Sequence, residues 1–170
     1  MVRGCAEEKE QMELTLLSAQ RMTRTVLFLC TGNYYRSRFA EELFNHKAAA
    51  TGLAWQAQSR ALAIERGVYN IGPLSSYALQ ALQARGCSPT GGSRMPRQCV
   101  ANDFESAQRI IALNEPEHRP LVHERFPEWE QRVQFWQVAD VGFVRPQVAL
   151  AAIEQQIDAL LGVLRAAVAE

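Results

Sequence analysis

The chain has 170 residues, 48% hydrophobic and 21% charged, and its 18 basic and 18 acidic side chains cancel to a formal net charge of +0. That size and apolar content suit one compact domain with a real core and exclude a disordered or collagen-like chain. Zero net charge supplies no global field to hold a polyanion, so no nucleic-acid partner is expected and any anion site must be local.

Residues 1–22 read as an appended N-terminal extension. Met12, Leu14, Leu16 and Leu17 permit a short helix but show no strong core face, and the composition equally allows disorder. Glu7, Glu8, Lys9 and Glu10 stand where a signal peptide needs an apolar stretch, and no run approaches the roughly 20 apolar residues of a membrane span. No membrane partner is expected. Cys5, Cys30, Cys87 and Cys99 lack paired spacing, as thiols of a reducing compartment do, so a soluble, cytoplasmic protein is expected.

The domain proper is read as residues 23–170. Thr25–Cys30 is a continuous apolar run of β-formers, the pattern of a strand buried on both faces of a parallel sheet. A tight loop follows, then a helix with Phe39, Ala40, Leu43 and Phe44 on one stripe. Leu53–Leu62 alternates and predicts a second strand, with Ser59 near its end. Ser75 or Ser76 can cap a helix over Tyr77–Arg85, which Gly86 terminates. The stretch holding Pro89, Gly91, Gly92 and Pro96 reads as a long surface connection. Arg109–Leu113 and Val133–Val138 predict two more strands. A last helix starts near Pro146, with Leu150, Ile153, Ile157, Leu160, Leu161 and Leu164 on one face. Strands alternating with helices imply an α/β fold with a parallel sheet and a functional site at the strands' carboxyl ends.

Cys30 sits at such an end. A loop between a buried strand and a helix N-terminus turns backbone N–H groups inward and makes a seat for a tetrahedral oxyanion. Gly32 and Asn33 suit it because both tolerate left-handed backbone geometry. There the N–H dipoles, the helix end, Arg36 and Ser37 all favour thiolate over thiol at Cys30. Arg36 can hold two phosphate oxygens with its planar fork. Thr31, Gly32, Asn33, Tyr34, Tyr35, Arg36 and Ser37 are therefore the candidate phosphate-binding residues. No Gly-Lys-Ser/Thr follows, which excludes a nucleotide-binding Walker loop.

The run Val26–Ser37, followed by Ala40-Glu41, resembles the signature of low-molecular-weight protein tyrosine phosphatases. The resemblance extends through Ser59–Leu62, the Ile71-Gly72-Pro73 turn, the Arg109–Leu113 strand and the Asp140 loop. It implies a three-layer sandwich: a central four-stranded parallel sheet flanked by helices, with the phosphate-binding loop after the first strand. It also implies Cys30 as nucleophile, Arg36 as phosphate ligand and Asp140 as general acid and base. Asn33, Ser37 and Ser59 fall on loop-bracing positions, and Tyr34, Tyr69 and Phe143 on the substrate cleft. The implied activity is hydrolysis of phosphotyrosine on proteins through a phosphocysteine, releasing inorganic phosphate, by a monomer or weak dimer without metal or other cofactor.

The chain also departs from that pattern. Val141 replaces the proline after the late aspartate, which would leave Asp140 less preorganised. Tyr35 replaces a second cysteine, so oxidised Cys30 lacks a neighbouring thiol to trap it. Arg38 replaces a proline and would add positive charge near the mouth. Three alternatives stay open: a phosphoarginine phosphatase, an arsenate reductase using Cys87 and Cys99, and a weakly active phosphoprotein-binding module. His46, His118 and His123 are scattered, so no metal site is expected, and the His118/His123 pair, five apart, reads as solvated helix residues. Trp55, Trp129 and Trp136 read as packing residues.

Overall fold

The computed structural model describes residues 22–169; the expected N-terminal extension lies outside the described residues except for Met22. Strand β1 (Arg24–Cys30) leads into helix α1 (Arg36–Ala50) and strand β2 (Trp55–Ala61). Then come α2 (Ser76–Ala84), α3 (Ala101–Ser106), β3 (Arg109–Ala112), α4 (Glu115–Arg125), β4 (Val133–Phe135) and α5 (Pro146–Ala169). The four strands form one parallel sheet in the order β2-β1-β3-β4, as the resemblance implied.

The apolar run of β1 places it at the centre, because successive side chains leave opposite faces and both faces must be covered. Val26 and Phe28 pack with Phe39, Leu43 and Phe44 of α1 and with Ile153 and Ile157 of α5. Leu27 and Leu29 face the other way, onto Phe104 of α3 and Leu121 and Val122 of α4. Trp55 and Trp136 are buried in the first cluster, and Trp129 packs against the second.

Several expectations are corrected. The second and fourth strands are shorter than their sequence patterns, α3 was not anticipated, and of α4 only the helical setting of His118 and His123 was. Ser75 sits at the N-cap of α2 without a side-chain bond; its backbone N–H instead donates to Tyr34 O at 3.0 Å. His118 is fully buried, not solvated. Contrary to the expectation of no such run, Pro146–Val168 is long and apolar enough to cross a membrane, with a mean hydropathy of 1.2. Its stripe of Leu150, Ile153, Ile157, Leu161 and Leu164 is buried against the sheet, so one face of this helix belongs to the core.

Candidate active site

The carboxyl ends of β1 and β3 are neighbours, since Leu29 pairs with Ala112. The turn after β1 therefore meets the first turn of α4, and the segment after β4 closes the third side. At the base lies Cys30, 3% exposed, with Sγ 2.9 Å from Ser37 Oγ at the start of α1. Asn33 takes φ +52°, the left-handed conformation the sequence suggested. Gly32 serves a different need: a Cβ there would come within 3.1 Å of the Asn70 side chain.

The Asn33 side chain is a buried brace. Its Nδ2 donates to Ser37 Oγ at 3.0 Å and to Ser59 Oγ at 2.9 Å, while Oδ1 accepts from Arg94 and from the Arg97 backbone N–H. The expected bracing trio of Asn33, Ser37 and Ser59 thus comes together, along with Arg94, which was not expected.

Arg36 is 2% exposed and held from two sides. Its Nη1 donates to Glu117 Oε2 and Nη2 to Glu117 Oε1, both at 2.9 Å, and Nη1 also donates to Val138 O at 3.0 Å. Glu117 further accepts a bond from the Thr31 hydroxyl, so one carboxylate of α4 ties both ends of the loop. Burial alone would raise the Glu117 pKa, but His118, Arg36 and Thr31 outweigh it and hold the group well below the usual carboxylate range. Burial holds His118 below its ordinary value; its Nδ1 accepts the Asn114 N–H at 3.0 Å, and its Nε2 lies 3.4 Å from Glu117.

Asp140 Oδ2 lies 3.2 Å from Arg36 Nη2, and Oδ1 accepts the Val141 N–H at 2.8 Å. Cys30, Arg36 and Asp140 therefore converge on one cavity of about 160 Å³. Its aromatic lining is Tyr34, Tyr35 and Tyr77. Tyr34 is tied to the rim by a bond from its hydroxyl to Ile71 O, and Tyr35 meets Tyr77 edge-on. Burial, reinforced by Asp140, pushes the Tyr35 phenol up to about 12, so it remains protonated. Tyr69 and Phe143 do not line this cavity: at 92% and 87% exposed they project into solvent outside it. Arg38 does not add charge at the mouth either, because its side chain is fully buried. A larger hollow of about 420 Å³ lies at the amino ends of β1 and β2, between Arg24, Leu53 and Val168, and contains none of the candidate groups. Among the described residues no three His, Cys, Asp or Glu side chains are grouped to hold a metal ion.

Tyr77, Glu117 and Arg94 were missed in the sequence. A signal existed for Glu117, as the acidic Glu115-Pro-Glu117 segment follows directly on the carboxyl end of the third strand, where sites of such sheets gather.

These features define an α/β protein with a cavity at the loop between β1 and the following helix. The family model for low molecular weight phosphotyrosine protein phosphatases matches residues 25–168, and the chain belongs to that family. It is 30% identical over 105 residues to the human low molecular weight phosphotyrosine protein phosphatase, an alignment covering 61% of this chain and 63% of the human one, just under two thirds of that relative. A solved low molecular weight protein tyrosine phosphatase from T. tengcongensis shares 25% identity with a TM-score of 0.67, covering 82% of this chain and 98% of the other. YfkJ from Bacillus subtilis, at 22% identity, has the same fold with a TM-score of 0.72, over 86% of this chain and 97% of that one.

Proposed function

We propose that the protein is a cysteine-dependent phosphatase of phosphotyrosine on proteins, carried by residues 23–170. The observation that carries this reading is the convergence of Cys30, Arg36 and Asp140 on one cavity, with Ser37 against the sulfur and Glu117 aligning the arginine. Cys30 attacks phosphorus as thiolate; the P–S bond forms as the P–O ester bond breaks. Arg36 and the loop amides stabilise the equatorial oxygens, and Asp140 gives its proton to the leaving phenolic oxygen. Water then attacks phosphorus, Asp140 takes up its proton, and the P–S bond breaks to release inorganic phosphate and regenerate the thiolate.

Phosphotyrosine is favoured by the tyrosine-lined walls, which can stack on an aryl ring above a recessed sulfur. The human and T. tengcongensis relatives carry phosphotyrosine or tyrosine phosphatase in their names, which supports the same choice. An arsenate reductase is disfavoured because Cys87 and Cys99 are buried in clusters on opposite faces of the sheet and neither lines the cavity. The lack of paired cysteine spacing supports a cytoplasmic setting.

The test is hydrolysis of an aryl phosphate and of a phosphotyrosine peptide by the wild-type chain and by Cys30→Ser. Activity in the first, abolished in the second with inorganic phosphate still bound, is the expected result. Phosphate binding by a wild-type chain that hydrolyses neither substrate would make it a binding module. Faster turnover of a phosphoarginine peptide would reassign the substrate.

A further inference from the structure

Tyr77 borders two spaces. It lines the catalytic cavity of about 160 Å³ and also a separate groove of about 290 Å³ between α2 and the first turns of α5. At 49% exposed, and meeting Tyr35 edge-on at 6.4 Å, it is a partition between the two rather than a packed core group. The facing side is continuous as well. Asp140 and Val141 line the cavity, Pro146 lines the groove a few residues on, and the Tyr35 hydroxyl donates to Pro146 O at 3.5 Å.

The groove exists because α2 is thin there. Tyr77, Ala81 and Ala84 follow at spacings of four and three, so they share one face of the helix, and opposite Pro146 and Leu150 the two alanines leave space that longer side chains would fill. The described lining contains no carboxylate. Its one cation, Arg85, is already paired: Nε donates to Glu154 Oε2 at 2.6 Å, Nη1 donates to Ala81 O at 2.9 Å, and the guanidinium lies over the Phe39 ring. A charged residue entering the groove would lose water and meet no free counter-charge, whereas an apolar one would cover Ala81, Pro146 and Leu150 at no such cost.

We propose that this groove is a second substrate subsite, taking an apolar side chain of the phosphoprotein two or three residues from the phosphotyrosine. This rests on the phosphatase reading of the catalytic cavity and extends it to the sequence around the target tyrosine. An extended peptide advances about 3.3 Å per residue and returns to the same side every second residue. With the phosphotyrosine ring beside Tyr77 in the cavity, the next side chain on that side falls about 7 Å on, beyond the Tyr77 partition. The groove lies outside the catalytic cavity, so a substrate consisting of one aryl phosphate does not use it.

The experiment measures kcat/KM for phosphotyrosine peptides carrying Leu, Gly or Asp at the second and third positions on either side of the phosphotyrosine, with a small aryl phosphate alongside. Wild type is expected to favour Leu over Asp by about tenfold or more at one of these positions, with Gly between. Ala81→Met fills the floor of the groove and should abolish that preference, leaving hydrolysis of the small aryl phosphate nearly unchanged. If Ala81→Met does not fold, Ala84→Met on the exposed last residue of α2 makes the same test. Equal kcat/KM for Leu and Asp peptides in wild type, or a Leu preference that survives the filled groove, would overturn the proposal. So would an equal loss on peptides and on the small aryl phosphate, since the substitution would then act through the fold and not through a subsite. A wild-type chain inactive on every one of these substrates would instead overturn the reading of the catalytic cavity.

Discussion

Asp140 shows how one neighbour changes a residue's setting. A proline after it would have no N–H to give, whereas Val141 donates to Oδ1 while Arg36 approaches Oδ2, so both oxygens are engaged despite the absence of the rigid ring. The loosening expected from valine is thus offset by a bond that proline could not make. Asp140→Asn keeps the shape and loses the transferable proton. It should cut turnover of phosphates with poor leaving groups by roughly 10²-fold or more and of activated aryl phosphates far less. Equal losses on both, measured across a leaving-group series, would remove Asp140 from proton transfer. Cys30 to Ser37 was legible in the sequence because strand, loop and helix start are contiguous there. Glu117 and Arg94 were not, because they reach the loop across 81 and 61 positions and local patterning contains no record of such contacts.

At the level of elements, α4 matters more than its sequence suggests. Pro116 and Pro120 and a preponderance of charged residues hide its helical period; the helix forms because Pro116 lies in the first turn, where an N–H would have no helical partner. By contrast β1, α1 and α5 bury whole stripes, and their periodicity announced them. Glu117 in the first turn of α4 couples that helix to the phosphate loop. Its folded-state pKa lies below the unfolded value, so its stabilising contribution is complete above the ordinary carboxylate pKa of about 4.3 and drains away as pH falls below it. Glu117→Gln should be less stable at neutral pH by about 1–3 kcal/mol. Below pH ~4 the gap to wild type should narrow. Urea unfolding at a series of pH values measures this; a constant gap across that range would show that the Glu117 charge does not support the loop.

Across the whole molecule, a chain of zero net charge gathers its candidate catalytic groups at the carboxyl ends of the inner strands of a parallel sheet. The two cores on opposite faces of β1 hold the loop's flanking elements rigid, and they also separate the remaining described thiols, with Cys87 in one cluster and Cys99 in the other. Burial raises both thiols, Cys99 to about 12, so they are inert packing groups. Among the described thiols Cys30 alone lines the cavity, and the proposed reaction passes through a phosphorylated sulfur. The most direct measurement is to mix the protein with a phosphotyrosine peptide, quench in acid within a turnover, and map phosphoryl adducts by mass spectrometry. A phosphoryl group on the peptide carrying Cys30, absent in Cys30→Ser and accumulating in Asp140→Asn, is the predicted result; turnover with no adduct on Cys30 would contradict it.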